Sequence, residues 1–250
     1  MYGCQETGVE PLPILDKLPP LEQIWEVSSR ARNSSEASDV ELEVKRNYDL
    51  ILARREQLEV SKEVQGHFEK AVTQAEKKFE EGEDDISQSA ITKLKLGLAG
   101  TLNDISKFNS DIALAQLRLG KYLGVQWAQK VDISAPKLQP EDFSYRTVEE
   151  FLASNPQGAK APKGSKLFDL EEALIEINKA REQLALAGKN RKMTRALLVA
   201  EAANYDFGIG NEADLFEALI IYTRVSVGYY EAIHTFNVAV HRFHSLYSAK

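Results

Sequence analysis

The sequence predicts an all-α fold made of two long antiparallel coiled-coil helical hairpins related by internal duplication. The first observation is the placement of the 8 prolines, none of which lies in residues 21–135 or 163–250. A proline in a helix interior costs about 3 kcal/mol, so these two tracts permit very long helices. The second observation is rows of apolar residues seven positions apart, broken at Gln65 in the first helix and Arg191 in the third, which is typical of coiled coils. An α/β fold needs turn residues about every 10–15 residues and is therefore disfavoured.

Composition excludes several classes of protein. The net charge of −7 and the absence of a Lys/Arg cluster disfavour nucleic acid as a partner. The single cysteine, Cys4, excludes an internal disulfide and a cysteine-rich zinc site. The most apolar run, 215–230, contains Glu217 and Arg224 and is shorter than the roughly 20 apolar residues of a membrane-spanning helix. No signal peptide is visible, so an exported form would be a processed protein or a fragment.

The first hairpin is predicted over residues 39–124, after an irregular, Pro- and Ser-rich segment over 1–38. One helix runs from about Asp39 to Phe79, Gly82 ends it, and a second runs from about Ser87 to Gly124. The heptad rows of these helices are Val44, Ile51, Leu58, Val72 and Phe79, followed by Ile91, Leu98, Ile105, Ile112 and Leu119.

The second hairpin is predicted over residues 169–250, after a Pro-containing linker over 125–168. A short helix over 147–152 is expected in the linker, capped by Ser144 or Thr147. Asp169 is the expected N-cap of the third long helix, and the fourth runs from about Glu212 to Ser248. Their heptad rows are Leu170, Ile177, Leu184, Leu198 and Tyr205, followed by Leu215, Tyr222, Tyr229, Phe236 and Phe243.

A shift of 126 positions relates the two hairpins. It places Arg55-Glu56-Gln57-Leu58 on Arg181-Glu182-Gln183-Leu184, and it predicts that one offset serves both helices of each hairpin. The remaining matched positions are Phe79 with Tyr205, Gly82 with Gly208, Asp111 with Asn237, Ala113 with Ala239, and Leu117 with Phe243.

The segment between the third and fourth long helices resembles the hairpin tip of TolC-like outer-membrane efflux proteins. In residues 205–218, YDFGIGNEADLFEA, an aromatic residue precedes Gly-Ile, and Asp-Leu opens the returning helix. Residues 229–233 and 237–240 are similar to the family's Tyr-rich returning helix. Residues 53–58 and 113–115 match the first hairpin more loosely. A duplicated hairpin is also the hallmark of this family.

The resemblance implies a passive conduit that performs no enzymatic chemistry and needs no cofactor or metal. The expected assembly is a homotrimer forming a periplasmic helical tunnel at the cell outer membrane. Its hairpin tips would meet a periplasmic adaptor (membrane fusion) protein and an inner-membrane pump. The tip residues expected to contact the adaptor are Gly82, Tyr205, Gly208, Ile209, Gly210, Asp214 and Leu215.

The sequence departs from the family pattern in the segments outside the hairpins. Family members insert an extra helix and a pair of membrane-spanning strands in each repeat, and such strands need about 9–11 alternating residues. Neither 1–38 nor 125–168 contains such a stretch. The chain is therefore predicted to be a truncated or divergent member without recognisable barrel strands.

The local physics of the tip agrees with a helical turn. Gly208 can adopt the positive φ that ends a helix. Asp214 is placed either to cap the next helix or to complement its N-terminal dipole. Ile209 is predicted to be a small exposed apolar contact for a partner.

The sequence alone also permits two other functions. The first is a soluble coiled-coil or four-helix-bundle scaffold without transport activity. The second is a helical di-metal protein, because His234, His241 and His244 share one helical face and Glu231 precedes His234 by three positions. A di-metal site needs a second such pair, but His67 is preceded by Glu63 four residues earlier. The aromatic row of the fourth helix is predicted to be core rather than a stacking surface.

Overall fold

Four long helices make up most of the described chain. The computed structural model describes residues 12–24, 37–82, 86–134, 137–155 and 164–248. The helices are α1 Ala37–Glu80, α2 Gln88–Leu123, α4 Ser165–Asp206 and α5 Glu212–Ser248, with the short α3 Val148–Ser154 between α2 and α4. The predicted all-α fold of two long hairpins is confirmed.

The helix ends follow local capping chemistry. The Ser87 side chain accepts a hydrogen bond from the backbone N–H of Ala90 at the start of α2, and Gly124 ends α2 with φ 68°. Thr147, one of the two predicted caps, forms a capping box with Glu150 at the start of α3. Asp169 is not the N-cap of α4, because the helix begins one turn earlier, at Ser165.

Two short strands lie in the segments predicted to be irregular and linker. Strand β1, Ile14–Lys17, pairs in parallel with β2, Gln126–Asp132, with Ile14 opposite Gln126 and an irregular register after Leu15. Neither strand buries a whole face, so the alternation of apolar and polar residues that marks a strand is missing from their sequences.

The four long helices form a layer in the order α2–α1–α5–α4. Each hairpin packs on itself, α1 on α2 and α4 on α5, and the two hairpins meet through α1 and α5. The helices α2 and α4 therefore lie at the two edges of the layer. This order places the first helix of one repeat against the second helix of the other.

The core is divided along the length of the layer. One cluster lies at the strand end and includes Leu18 and Ile24 against α1 and α2. A second joins all four long helices near the hairpin tips, and a third packs α3 on α4 and α5. The buried members of the predicted heptad rows are Val44, Ile51, Leu58, Val72, Ile91, Ile112, Leu119, Leu170, Ile177, Leu198, Tyr205, Leu215, Tyr222, Phe236 and Phe243.

The internal duplication needs two offsets rather than one. Gly82 and Gly208 end α1 and α4 with φ 80° and 71°, and they are 126 positions apart. Ser87 caps α2 and Asn211 caps α5, and they are only 124 positions apart (211 − 87). The single predicted offset is therefore wrong for the second helices, because the turn of the first hairpin is two residues longer. With the corrected offset, Leu119 of α2 matches the fully buried Phe243 of α5.

Candidate functional site

The tip of the second hairpin is a tight turn closed by backbone hydrogen bonds. The N–H groups of Ile209 and Gly210 both donate to the Asn204 carbonyl at 3.0 Å. Gly208 adopts φ 71°, where a side chain would strain the backbone. A Cβ on Gly210 would lie 3.0 Å from the backbone nitrogen of Tyr205, so this glycine allows the close approach of the turn.

Two apolar side chains project from this tip. Phe207 is 80% exposed and Ile209 is 78% exposed. The predicted exposure of Ile209 is confirmed, whereas Phe207 was absent from the predicted contact residues. Its place beside the helix-ending glycine was the signal that could have identified it.

Two predicted tip residues, Tyr205 and Leu215, are buried instead. The Tyr205 hydroxyl donates to the Ala71 carbonyl of α1 at 3.3 Å, and the Lys78 ammonium lies 5.7 Å from the ring centroid. Burial raises the pKa of Tyr205, and the nearby Glu212 carboxylate raises it further. The Tyr205 and Leu215 side chains therefore hold the tip against α1 and are not part of the surface of the tip.

Asp214 complements the start of α5 but is not its cap. The Asn211 side chain accepts from the backbone N–H of Asp214 at 2.9 Å, which makes Asn211 the cap. Asp214 in turn accepts a hydrogen bond from the Asn211 amide at 2.7 Å. Its carboxylate lies in the first turn of α5, where the helix dipole favours negative charge.

The tip of the first hairpin has a different surface. Gly82 follows α1 at φ 80°, and its N–H donates to the Phe79 carbonyl at 3.2 Å. Glu80 and Glu81 are exposed beside it, and Phe79 is 45% exposed. The remaining acidic residues of the predicted turn, 83–85, lie outside the described residues.

A charged network joins three helices at the middle of the layer. Arg54 of α1 donates to Asp111 of α2 at 2.9 Å and to Glu231 of α5. Burial raises the pKa of Glu231, but the hydrogen bonds from Arg54 and Gln57 outweigh it and hold that pKa below its usual value. Gln57 is fully buried and also donates to the Val227 carbonyl at 3.0 Å. Glu231, considered in the sequence as a metal ligand, is therefore paired with an arginine.

Polar pairs continue along the contact of α1 with α5. Nε2 of His241 lies 2.9 Å from Oδ2 of Asp49, and both side chains are buried. Nearer the tips, the Tyr222 hydroxyl donates to Glu63 at 2.8 Å, and Arg195 of α4 binds the same carboxylate. Burial raises the pKa of Tyr222, and the hydrogen bond to Glu63 raises it further. The inner contact of the layer is thus apolar with polar pairs at intervals.

A groove lies over α1, between α2 and α5. Its volume is about 870 Å³. Glycines and threonines, including Gly97, Gly100 and Thr101, line it beside Leu96 and Phe216. Gly97 allows the close approach of Phe68 there, since a Cβ would lie 2.6 Å from the Phe68 ring.

The two edge helices expose most of the large apolar side chains on the described helices. Their relative exposures range from 39% to 71%. Residues of this kind on α2 are Leu96, Leu102, Leu114 and Leu117, and those on α4 are Phe168, Ile175, Leu186, Met193, Leu197 and Val199. Contiguous patches of such side chains mark sites of protein or membrane contact, whereas single exposed residues are common.

Two of the three α5 histidines lie against other side chains. His241 pairs with Asp49, and the His244 ring lies 5.8 Å from that of Phe151. Burial lowers the pKa of His234 and of His244. Among the residues that the structure describes, no group of three His, Cys, Asp or Glu side chains is placed to hold a metal ion.

In the part of the chain that the structure describes, no helix is both long enough and apolar enough to cross a bilayer.

The fold is similar to that of solved outer-membrane channels. The channel OprN superposes with a TM-score of 0.65 at 12% identity, over 91% of this chain and 70% of that chain. CusC, described through its folding and transmembrane channel formation, gives 0.66 at 11% identity over 92% and 72%. The CmeC outer membrane channel of Campylobacter jejuni gives 0.65 at 9% identity over 90% and 66%. The predicted likeness to TolC-like channels is therefore confirmed for the fold.

Sequence comparison adds no relative. No family model matches the chain, and no curated protein matches it in sequence.

Proposed function

We propose that this chain forms the periplasmic helical tunnel of an outer-membrane efflux or export channel of the TolC-like type. It acts as a passive conduit together with an adaptor protein and an inner-membrane pump. The observation that carries the proposal is the layer of two helical hairpins, which shares its fold with OprN, CusC and CmeC over about 90% of its length.

The open layer suits a wall built from several copies. A closed four-helix bundle would bury the apolar faces of all its helices, but here α2 and α4 carry apolar side chains at the edges. Head-to-tail contacts of this kind close into rings when the rotation per unit permits it. We infer that three copies, six hairpins in all, surround the conduit. The exposed edges also count against the soluble scaffold considered from the sequence.

The hairpin tips are the proposed docking surfaces for the adaptor. At the second tip, Phe207 and Ile209 offer the exposed contact, while Gly208 and Gly210 set the turn. That turn is stabilised by the buried side chains of Tyr205 and Leu215 and by Asp214, which accepts a hydrogen bond from the Asn211 amide. At the first tip, Gly82 sets the corresponding turn, and its acidic neighbours give a different surface chemistry. The pump is reached through the adaptor.

Transport by the producing cell tests the proposal. Deleting the gene should increase the intracellular retention of at least one class in a panel of dyes, antibiotics and metal ions. The wild-type gene should restore export. If no compound in the panel is retained after deletion, an export role is contradicted.

A matched pair of glycine variants tests the tip. Gly208→Val places a β-branched residue at φ 71°, so it should distort the turn and abolish complementation. Gly66→Ala, where a Cβ meets no atom within 4 Å, should complement fully. Circular dichroism should show nearly unchanged helicity for both variants. Full export by Gly208→Val would contradict the role of the tip, and wholesale unfolding would show that Gly208 supports the fold rather than a docking turn.

A further inference from the structure

We propose that the cavity over α5, between α1 and α4, binds the oxyanion group of a small organic molecule, which is a carboxylate, a sulfonate or a phosphate ester. Arg191 binds the anion, with Lys192 and the Tyr230 hydroxyl beside it. The site lies within one chain, so it does not depend on the proposed conduit.

The cavity has the size of a ligand pocket. Its volume is about 570 Å³, within the roughly 300–1,000 Å³ that is usual for small-molecule sites. Charged residues of α1 and α4 form its two sides, and Tyr222 and Tyr230 of the intervening α5 form its floor. A bare ion would leave most of this space to water, so an organic molecule that carries the anion fits the cavity better.

Arg191 occupies a position where the heptad pattern expects an apolar residue. It interrupts the row of α4 between Leu184 and Leu198. Its guanidinium carbon lies 4.8 Å from the ring centroid of Tyr229 and 5.0 Å from that of Tyr230. Contacts with aromatic rings attract the guanidinium without neutralising its charge. The arginine is therefore positioned at the cavity before a ligand binds, which lowers the cost of ordering it.

Most of the hydrogen-bonding capacity of Arg191 is unused among the described residues. Its guanidinium donates to the Tyr230 hydroxyl at 2.9 Å, and no described carboxylate forms an ion pair with it. A guanidinium has five N–H donors in a fork that matches an oxyanion. Burial raises the pKa of Tyr230 more than Arg191 lowers it, so the hydroxyl keeps its proton. Because this hydroxyl accepts from Arg191, its own proton can be donated to the anion.

The acidic side chains of the cavity are already paired with cations. Each of the three glutamates that α1 contributes forms an ion pair within the chain. The pairs are Glu56 with Arg55, Glu59 with Lys62, and Glu63 with Arg195. Among the described residues, this pairing leaves Arg191 and Lys192 as the cations of the cavity without a carboxylate partner. The charge of the cavity therefore complements an anion.

The arginine and the two tyrosines are specific to the second repeat. Their equivalents in the first repeat, at the offsets of 126 and 124, carry neither a positive charge nor an aromatic ring. The matched positions are Gln65 for Arg191, Ile105 for Tyr229, and Ser106 for Tyr230. A hairpin of this type therefore folds without the combination, which indicates a role beyond holding two helices together.

Isothermal titration calorimetry of the purified chain tests the site. The probes are phenyl phosphate, inorganic phosphate and phenyltrimethylammonium, which separate an organic anion from a bare anion and from an organic cation. Phenyl phosphate should bind once per chain, and Arg191→Gln should weaken it roughly tenfold, the loss expected for a charge-assisted hydrogen bond. Lys192→Gln, at an exposed position, should weaken it about threefold. The control Arg118→Gln, at an exposed position on α2, should bind like the wild type.

Each outcome supports or overturns the site. Selective binding of phenyl phosphate that weakens in Arg191→Gln and Lys192→Gln, but not in Arg118→Gln, supports it. Unchanged affinity in Arg191→Gln overturns it, as does an absence of binding by all three probes. Binding of either other probe as tightly as phenyl phosphate overturns the assignment to an organic anion. Circular dichroism checks the fold of each variant; if Arg191→Gln loses helicity, unchanged affinity in the exposed Lys192→Gln variant overturns the proposal.

Discussion

The inner helices α1 and α5 differ from the edge helices α2 and α4 more than the first repeat differs from the second. α1 and α4 are equivalent by duplication, yet among the described side chains α1 exposes one large apolar residue, Phe79, and α4 exposes six. α5 exposes none, and its equivalent α2 exposes four. The surface chemistry of each helix therefore follows its place in the layer rather than its ancestry in the repeat.

This difference indicates the roles of the inner contact and of the two edges of the layer. The contact of α1 with α5 contains a buried polar pair, Asp49 with His241, and a partly exposed ion pair, Arg54 with Glu231. In the proposed assembly, the edges offer apolar side chains to a second copy. Four pairs of variants compare closely packed positions with exposed ones, in order of decreasing expected effect.

The largest effect is expected from Phe68→Ala. Phe68 is fully buried where α1, α2 and α5 meet, so its removal should leave a cavity and cost about 3–5 kcal/mol of unfolding free energy. Val199→Ala, on the exposed side of the edge helix α4, should cost less than about 0.5 kcal/mol. Urea unfolding followed by circular dichroism measures both. Similar losses for the two variants would remove the distinction between inner and edge positions.

Gly97→Ala and Gly100→Ala should act in opposite directions. A Cβ at Gly97 would lie 2.6 Å from the Phe68 ring, and the overpacking should cost about 1–3 kcal/mol. A Cβ at Gly100 meets nothing within 4 Å, so alanine should stabilise the helix by about 0.5–1 kcal/mol. Thermal unfolding reports the sign of each change. Stabilisation by Gly97→Ala would show that α2 is not closely packed there.

The partly buried ion pairs of Arg54 should matter more than an exposed ion pair. Arg54→Met leaves Asp111 and Glu231 without their cation and should cost about 1–2 kcal/mol, discounted because both carboxylates are partly exposed. Arg242→Met breaks an exposed pair with Glu176 and should cost less than about 0.5 kcal/mol. The denaturant concentrations at the midpoints of unfolding compare the two variants. An equal loss of unfolding free energy would mean that the ion pairs of Arg54 stabilise the fold no more than an exposed surface pair.

The smallest effect concerns pH. Burial lowers the pKa of His234 and His244 in the folded state, so acid favours the unfolded state, where these histidines take up protons more readily. Stability is full above about pH 6.5 and is lost as pH falls through the lower folded values. A variant carrying His234→Gln and His244→Gln should lose less melting temperature between pH 7.5 and 5.5 than the wild type.

The matched histidine control lies outside α5. His67→Gln, at a partly exposed position on α1, controls for the change from histidine to glutamine itself. If the double α5 variant keeps the wild-type dependence on pH, the buried histidines are not its source.

Most of the helical architecture could be predicted from the sequence. The proline-free tracts and the rows through Ile51, Ile112, Ile177 and Phe236 report on burial, which is a local property of helix periodicity. The turn at Gly208 was predictable because only glycine tolerates its φ at low cost.

The missed features depend on tertiary context. Strands β1 and β2 have no fully buried face, so their sequences carry no alternating pattern. The burial of Tyr205 and Leu215 follows from the approach of α1 to the tip, which no local pattern encodes. The two-residue difference between the turns was hidden by scattered matches such as Ala113 with Ala239.

In the proposed assembly, the edges of the layer meet in other copies of the chain. Light scattering of the purified 250-residue chain tests this assembly, together with Leu186→Glu, which places a charge on the exposed face of α4. The expected mass is three times 28.0 kDa for the wild type and 28.0 kDa for the folded variant. A wild-type mass of 28.0 kDa, or a trimer that Leu186→Glu leaves intact, would contradict it.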